Sequence, residues 1–205
     1  MRAWEKNIRR VIPYTPGEQP KQKNIIKLNT NENPYEPCPK VKELCGHIED
    51  LRLYPDPNVG DLVHAIAAYH GLEDNQVFVG VGSDDVIAMS FLTFFNGELP
   101  IVFPDITYSF YDVWADLFRI PYETKALDED FRICAGDYVA KNGGVIFPNP
   151  NAPTGVVEDL VFVRKILDAN QDVIVMIDSL RTRRHDTSRL PRKNRGQIRQ
   201  ARQKQ

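Results

Sequence analysis

The chain has 205 residues, of which 42% are apolar, so its length and composition predict one sizeable domain with a buried core. No apolar run approaches the roughly 18 residues that span a bilayer, and the polar, basic start predicts no secretory signal. The net charge of −2 hides a division, because residues 179–205 hold ten Lys/Arg and one acid. Removing these from the totals of 26 and 28 leaves 16 basic and 27 acidic residues in positions 1–178.

The first part of the chain, residues 1–39, is rich in Pro, Asn and Lys and is expected to form an irregular N-terminal arm. A short helix is expected over residues 40–51. From Val59 onwards, apolar residues recur at i, i+3, i+4, i+7 and i+8, and Gly71 follows them. This spacing predicts an amphipathic helix that ends at a glycine.

Apolar strands alternate with helical segments beyond this point. The expected strands are residues 76–81, 100–103, 120–125, 144–147 and 172–177, and the expected helices are residues 83–96, 108–118 and 159–169. Ser83 is expected to cap the first of these helices. The alternation predicts an α/β fold with a mainly parallel sheet covered by helices on both faces, so that ligands bind at the carboxyl ends of the strands.

The basic tail, residues 179–205, has only four apolar side chains and is expected to be disordered, after a large domain of residues 40–178. No aromatic residue lies among its arginines, so we do not expect nucleic acid as a partner. Cys38, Cys45 and Cys134 are odd in number and have no CxxC spacing. They predict reduced thiols of a cytoplasmic protein rather than disulfides or a metal site.

The sequence VGVGSDD, at residues 79–85, is the first candidate site. A strand that runs into Gly82 and a helix that opens at Ser83 would present free amides and a positive helix end to an anion such as a phosphate. An ordinary glycine turn is the alternative. A dinucleotide site is also conceivable, with Gly80 beginning the glycine motif and Asp105 at the ribose position, but Asp85 stands where that motif needs its third glycine.

Two further strand ends carry candidate residues. Tyr108 follows the strand at 100–103, where an aromatic ring can lie on a planar cofactor, although taken alone it is better explained as a core or surface tyrosine. The loop PNPNAPTG holds Asn149 and Asn151 as amide donors. Asp178 ends an apolar strand, and a poorly solvated carboxylate needs a cationic or hydrogen-bonding partner. A protonated pyridine nitrogen is one such partner, and a helix cap or salt bridge is the structural alternative.

Together these segments resemble the class I/II aminotransferases, fold-type-I enzymes that depend on pyridoxal phosphate. The resemblance covers about residues 8–178 and rests on motifs in a fixed order: PYTPG, LNTNENPYEP, YPDP, GSDD, TYSFY, NPNAPTG and VIVMID. The early LNTNENPYEP and YPDP favour the histidinol-phosphate branch, which transfers an amino group between L-histidinol phosphate and 2-oxoglutarate in histidine biosynthesis.

The resemblance implies a role for each matching residue. Gly82, Ser83 and Asp84 would line the pocket for the phosphate of pyridoxal 5'-phosphate. Tyr108 would stack on the pyridine ring. Asp178 would pair with the pyridinium nitrogen and keep it protonated, so that the ring can act as an electron sink.

Further implied roles concern the substrate and a second subunit. Tyr14 matches a residue that contacts the substrate phosphate, and Asn33 lies in a segment that closes over the substrate. Tyr54 would reach the cofactor phosphate of the neighbouring subunit, which implies a homodimer.

The sequence departs from the family pattern at two places. Ala152 stands where the family has an asparagine that binds the phenolic oxygen of the cofactor, so Asn151 or Asn149 is expected to replace it. After Asp178 the family pattern stops, and Lys193 and Lys204 do not match the lysine that holds the cofactor covalently. We therefore expect a truncated or frameshifted chain that has no catalytic lysine and no activity. A threonine-phosphate decarboxylase-like enzyme and a non-catalytic fragment remain as alternatives.

Overall fold

The computed structural model describes residues 5, 8–14, 26, 35–49 and 51–179. Most of the expected tail, residues 180–205, lies outside the described residues, and so does much of the expected N-terminal arm. The prediction that the tail is disordered therefore stays a prediction.

Four short parallel strands form the sheet, in the order β2-β1-β3-β4. They are β1 Ile101–Pro104, β2 Tyr122–Lys125, β3 Gly144–Pro148 and β4 Val175–Asp178. The helices are α1 Pro39–Cys45, α2 Gly60–His70, α3 Ser83–Phe94, α4 Tyr111–Phe118 and α5 Leu160–Ala169. Strands alternate with helices along the chain, as the sequence predicts, and the parallel sheet confirms the expected fold class.

Two apolar clusters cover the two faces of this sheet. Ile101 and Phe103 of β1 contribute to the cluster that contains α3 and α4 residues. Val102, between them, contributes to the cluster that contains α5 and the turn Ala135–Tyr138. Since successive side chains of a strand point to opposite faces, strands that are apolar throughout are buried from both sides.

Three local predictions are corrected by the structure. Residues 76–81 do not form a strand: Gln76 ends a 3₁₀ turn, and Val77 has extended torsions but no partner strand among the described residues. The helix expected from residue 108 begins at Tyr111. Ser83 is the first residue of α3 rather than its cap; Gly82 holds the cap position, and no side chain caps the helix.

The ends of α2 and the start of α5 follow the sequence signals, whereas the first helix is shorter than expected. Gly71 ends α2 in the left-handed conformation, with φ 65°. Asp159 caps α5, because its carboxylate accepts a hydrogen bond from the backbone amide of Phe162 at 2.8 Å. The expected helix at 40–51 is shorter, Pro39–Cys45, and none of its residues is buried.

Gly144, at the start of β3, allows a close approach between the sheet and α3. Its φ is +150°, and a Cβ atom there would overlap the ring of Phe95, which follows α3. A glycine is therefore required both by the backbone conformation and by the packing. Within the described part of the chain, none of the helices has the length and apolar content needed to cross a membrane.

Candidate cofactor site

The candidate residues meet at the carboxyl edge of the sheet. Asp178 is the last residue of β4, Tyr108 lies in the loop between β1 and α4, and Asp84 lies in the first turn of α3. The Tyr108 hydroxyl donates a hydrogen bond to Asp84 Oδ1 at 2.8 Å, and the Tyr111 hydroxyl donates to Asp178 Oδ2 at 3.0 Å. The rings of Tyr108 and Tyr111 are 5.7 Å apart and nearly perpendicular, so the two tyrosine–carboxylate pairs lie side by side.

Asp178 is held at the end of β4 by main-chain and side-chain bonds. Its backbone carbonyl accepts a hydrogen bond from the Asn149 amide at 2.7 Å. Burial raises the pKa of its carboxyl group, Tyr111 lowers that pKa through the hydrogen bond, and the negative charge of Asp84 raises it. No basic side chain of the described residues forms an ion pair with it. Asp178 is thus a poorly solvated carboxylate that a cation would stabilise.

Tyr108 presents a half-buried ring above this edge. Burial, and then the carboxylate of Asp84, raise the pKa of its hydroxyl, so it stays protonated as a hydrogen-bond donor. The ring is tilted against Phe110 at 5.6 Å, and the Tyr14 ring is stacked on the same Phe110 at 4.4 Å. Tyr14, predicted to lie near the substrate, is therefore placed beside Tyr108.

The N-terminus of α3 is open. Gly82 has φ 89° and ψ 172°, and a Cβ atom built there would have nothing within 4 Å. The Asp85 carboxylate turns back to accept a hydrogen bond from the Val81 amide at 3.0 Å, while Asp84 bonds Tyr108. Because no side chain caps the helix, its first amides are available to an anion.

The dinucleotide alternative is not supported by the surroundings of Asp105. Its carboxylate accepts hydrogen bonds from the backbone amides of Ile106 at 2.8 Å and Leu127 at 3.1 Å. These bonds join the loop after β1 to the chain after β2, which gives the aspartate a structural role. The glycine at position 80 is explained by packing, since a Cβ atom there would lie 2.8 Å from Asp85 Oδ2 and Val86 Cγ2.

Asn151 is almost fully buried, with 3% of its surface exposed. Its amide group donates to the Ile106 carbonyl at 2.9 Å and to Thr154 Oγ1 at 3.2 Å, and its oxygen accepts from Thr107 Oγ1 at 3.2 Å. Asn149 is similarly engaged with Glu158, through bonds of 3.0 and 2.9 Å. Both asparagines thus fix the loop that carries Ala152, and a cofactor contact from either stays a prediction.

The other predicted residues lie apart from this cluster. Tyr54 is 100% exposed. Asn33 lies outside the described residues. Two residues that the sequence reasoning missed are Tyr111 and Glu158; a signal for Tyr111 was available, because a residue three positions after Tyr108 can lie on the same side of a helical turn.

Comparison with known proteins agrees with this arrangement. Residues 23–180 match the family described as aminotransferase class I and II. The chain belongs to the class I and II aminotransferases. This match confirms the family that the ordered motifs predict. Members of the family use pyridoxal phosphate, so the predicted cofactor is confirmed as well.

The most similar curated aminotransferases include histidinol-phosphate aminotransferase 2 of Thiobacillus denitrificans, which is 54% identical over 86% of this chain and 50% of its own length. A histidinol-phosphate aminotransferase of Pseudomonas putida is 51% identical over 86% of this chain and 51% of its own length. The chain therefore spans about half the length of the curated relatives it matches.

A solved structure shows the same fold. The histidinol-phosphate aminotransferase of Sinorhizobium meliloti, in complex with pyridoxal-5'-phosphate, aligns with a TM-score of 0.63 and 19% identity. The alignment covers 72% of this chain and 42% of that one. At this identity the comparison supports the fold alone.

The residues present fit pyridoxal phosphate on two observations. The uncapped N-terminus of α3, with open space beside Gly82, fits the phosphate group. The Asp178 carboxylate has a raised pKa and no basic partner among the described residues, which fits a protonated ring nitrogen. In the described part of the chain, no group of three or more His, Cys, Asp or Glu side chains lies close enough together to hold a metal ion.

Proposed function

We propose that this chain forms the cofactor-binding part of a pyridoxal-phosphate-dependent aminotransferase that acts on L-histidinol phosphate and 2-oxoglutarate in histidine biosynthesis. The observation that carries the proposal is the partly buried Asp178 carboxylate at the carboxyl end of β4, beside the open N-terminus of α3. The substrates are supported by the names of the Thiobacillus and Pseudomonas relatives.

Each residue of the cluster has a defined task in this proposal. The backbone amides of Ser83 and Asp84 bind the cofactor phosphate, and Gly82 lets it approach the main chain. Tyr108 covers one face of the ring and excludes water from it. Asp178 keeps the proton on the ring nitrogen. The bound cofactor supplies an electron sink that lowers the barrier to proton removal from the substrate.

Other residues are proposed to serve the substrate and a second subunit. Tyr14 and Asn33 bind the substrate, and for Tyr14 the stacking on Phe110 beside Tyr108 supports this role. Tyr54 reaches the site of the partner in a homodimer, which agrees with its full exposure in a single chain. We place the protein in the cytoplasm, in agreement with Cys38, Cys45 and Cys134, which form no disulfide.

Cofactor binding can be tested directly on the full 205-residue chain. We expect pyridoxal phosphate, followed by its absorbance and by fluorescence quenching, to bind the parent chain. Asp178→Asn should weaken binding at least tenfold, because a neutral amide cannot balance the charge of a protonated ring nitrogen. The control is Asp172→Asn, at an exposed position in the turn before β4. A folded parent chain that binds no cofactor would favour a non-catalytic fragment.

The substrate requires an assay in a complete enzyme. The segment of the Thiobacillus relative that matches this chain can be replaced by the chain's own residues, and the hybrid purified with pyridoxal phosphate. We expect the hybrid to transfer the amino group of histidinol phosphate to 2-oxoglutarate. Release of carbon dioxide from threonine phosphate instead would support the decarboxylase alternative.

A further inference from the structure

Tyr111 is the only side chain that donates a hydrogen bond to the Asp178 carboxylate in the part of the chain that the structure describes. It is 0% exposed, and its ring is fixed edge-to-face against Phe103 at 5.8 Å and against Tyr108 at 5.7 Å. The position of its hydroxyl is therefore set by the packing of α4 on the sheet. This rigid donor bonds Oδ2, and no side chain of the described residues donates to Oδ1.

The ionisable groups that face Asp178 differ in their effects. Asp84, from α3, raises the pKa of the Asp178 carboxyl group, and burial raises it more. Tyr108, from the loop before α4, interacts with Asp178 through its own hydroxyl. The hydrogen bond from Tyr111 is the contribution that lowers the pKa of Asp178. Without it, the carboxyl group would hold its own proton more readily.

We infer that Tyr111 is a positioning residue that orients Asp178 and keeps it ionised, so that Oδ1 can hold a protonated aromatic ring nitrogen. The inference rests on the proposed function, since the ring nitrogen belongs to the proposed cofactor. It adds a residue that touches neither cofactor nor substrate and acts through Asp178. A buried tyrosine hydroxyl also needs an acceptor for the stability of the fold alone. The test therefore has to separate this structural role from the positioning of Asp178.

Removing only the hydroxyl tests the role, and a matched control exists. Tyr111→Phe keeps the ring in the core. Tyr138→Phe removes the hydroxyl of another buried tyrosine, which has no hydrogen-bond partner among the described residues and lies in the cluster on the opposite face. In the full chain labelled with ¹³C at aspartate carboxyl groups, the Asp178 signal can be identified by its loss in Asp178→Asn. Its titration is measured without cofactor.

We expect the Asp178 signal to titrate at higher pH in Tyr111→Phe and to be unchanged in Tyr138→Phe. With pyridoxal phosphate labelled with ¹⁵N in the ring, Tyr111→Phe should bind about tenfold more weakly, and its ring nitrogen should lose the proton at lower pH. A merely structural tyrosine would alter stability and leave both titrations in place. Unchanged titrations and affinity in a folded Tyr111→Phe chain overturn the inference.

Two further outcomes are distinguishable. If the parent chain binds no pyridoxal phosphate, the proposed function fails, while the carboxyl titration still decides whether Tyr111 controls Asp178. If Tyr111→Phe does not fold, 3-fluorotyrosine at position 111 keeps the shape and makes the hydroxyl a stronger donor. The Asp178 signal should then titrate at lower pH, and an unchanged titration would again contradict the inference.

Discussion

Asn149 and Glu158 are joined by two reciprocal hydrogen bonds. The Asn149 side-chain amide donates to the Glu158 carbonyl at 3.0 Å, and the Glu158 backbone amide donates to Asn149 Oδ1 at 2.9 Å. The Glu158 carboxylate in turn accepts hydrogen bonds from the Ile133 amide at 3.3 Å and from Arg132 at 3.2 Å. This pair closes the loop that follows β3 and joins it to the segment before the 3₁₀ turn Ala135–Tyr138.

Asn149→Ala is expected to destabilise the chain by about 2–3 kcal/mol, because two hydrogen bonds are lost and the partners at Glu158 are left partly buried. Urea unfolding followed by circular dichroism measures the change. The control is Asn96→Ala, which loses one exposed bond to the Leu92 carbonyl and should cost less than about 0.5 kcal/mol. Unchanged stability with lost cofactor affinity would instead make Asn149 the residue that replaces the family asparagine at Ala152.

Asp178→Asn should make the cofactor-free chain more stable at neutral pH. The folded-state pKa of Asp178 is raised above the ordinary value of 3.8, so the folded chain binds this proton more tightly than the unfolded chain. The stability that comes from protonation of Asp178 is fully present below the unfolded pKa and is lost as the pH rises through the folded pKa. The advantage of Asp178→Asn should therefore shrink towards acid pH, which unfolding curves at several pH values will show.

Bound cofactor should make the parent chain more stable than Asp178→Asn, because only the parent can hold the protonated ring nitrogen with a carboxylate. Added pyridoxal phosphate is then expected to stabilise the parent more than the variant at neutral pH. The exposed control Asp172→Asn should follow the parent in both conditions. A variant that is less stable than the parent without cofactor would show that Asp178 serves the fold rather than the site.

The sequence predicted the centres of the strands because their burial depends on local apolar pattern. Phe103 and Val102 illustrate this, since they are adjacent apolar residues that are buried on opposite faces of the sheet. The strand predicted at residues 76–81 does not form, because a strand also needs a neighbouring strand to pair with. The local apolar pattern does not show whether such a neighbour is present. The same limit applies to the site: Asp178 was predicted from its strand, whereas its donor Tyr111 is 67 positions away.

Asn151 shows a different limit of sequence reasoning. Its residue type does not reveal that the side chain donates to the Ile106 carbonyl and accepts from the Thr107 hydroxyl, and so joins two loops. Buried backbone groups have to find partners, and a buried asparagine between two loops is a ready one. Such competition is decided by contacts across 44 and 45 residues, which the sequence does not display.

Gly144→Ala and Gly82→Ala are expected to separate packing from phosphate binding. Alanine at 144 meets both a positive φ and the Phe95 ring, so a loss of about 2–5 kcal/mol is expected. Alanine at 82 meets only the unfavourable φ, which costs about 1–3 kcal/mol. Under conditions where both variants are folded, only Gly82→Ala should weaken pyridoxal phosphate binding. Equal weakening in both would count against a phosphate site at α3.

Tyr138→Phe should leave the chain as stable as the parent or make it more stable, by up to about 1–2 kcal/mol. The Tyr138 hydroxyl is buried, with the residue 1% exposed, and it has no hydrogen-bond partner among the described residues. Burial, with the nearby negative charge of Asp137, also raises the pKa of this hydroxyl, so no ionised form offsets the cost. Removing an unsatisfied buried hydroxyl while keeping the ring recovers its desolvation penalty. Urea unfolding measures the difference, and a loss of more than about 1 kcal/mol would indicate a bound water or another partner at this hydroxyl.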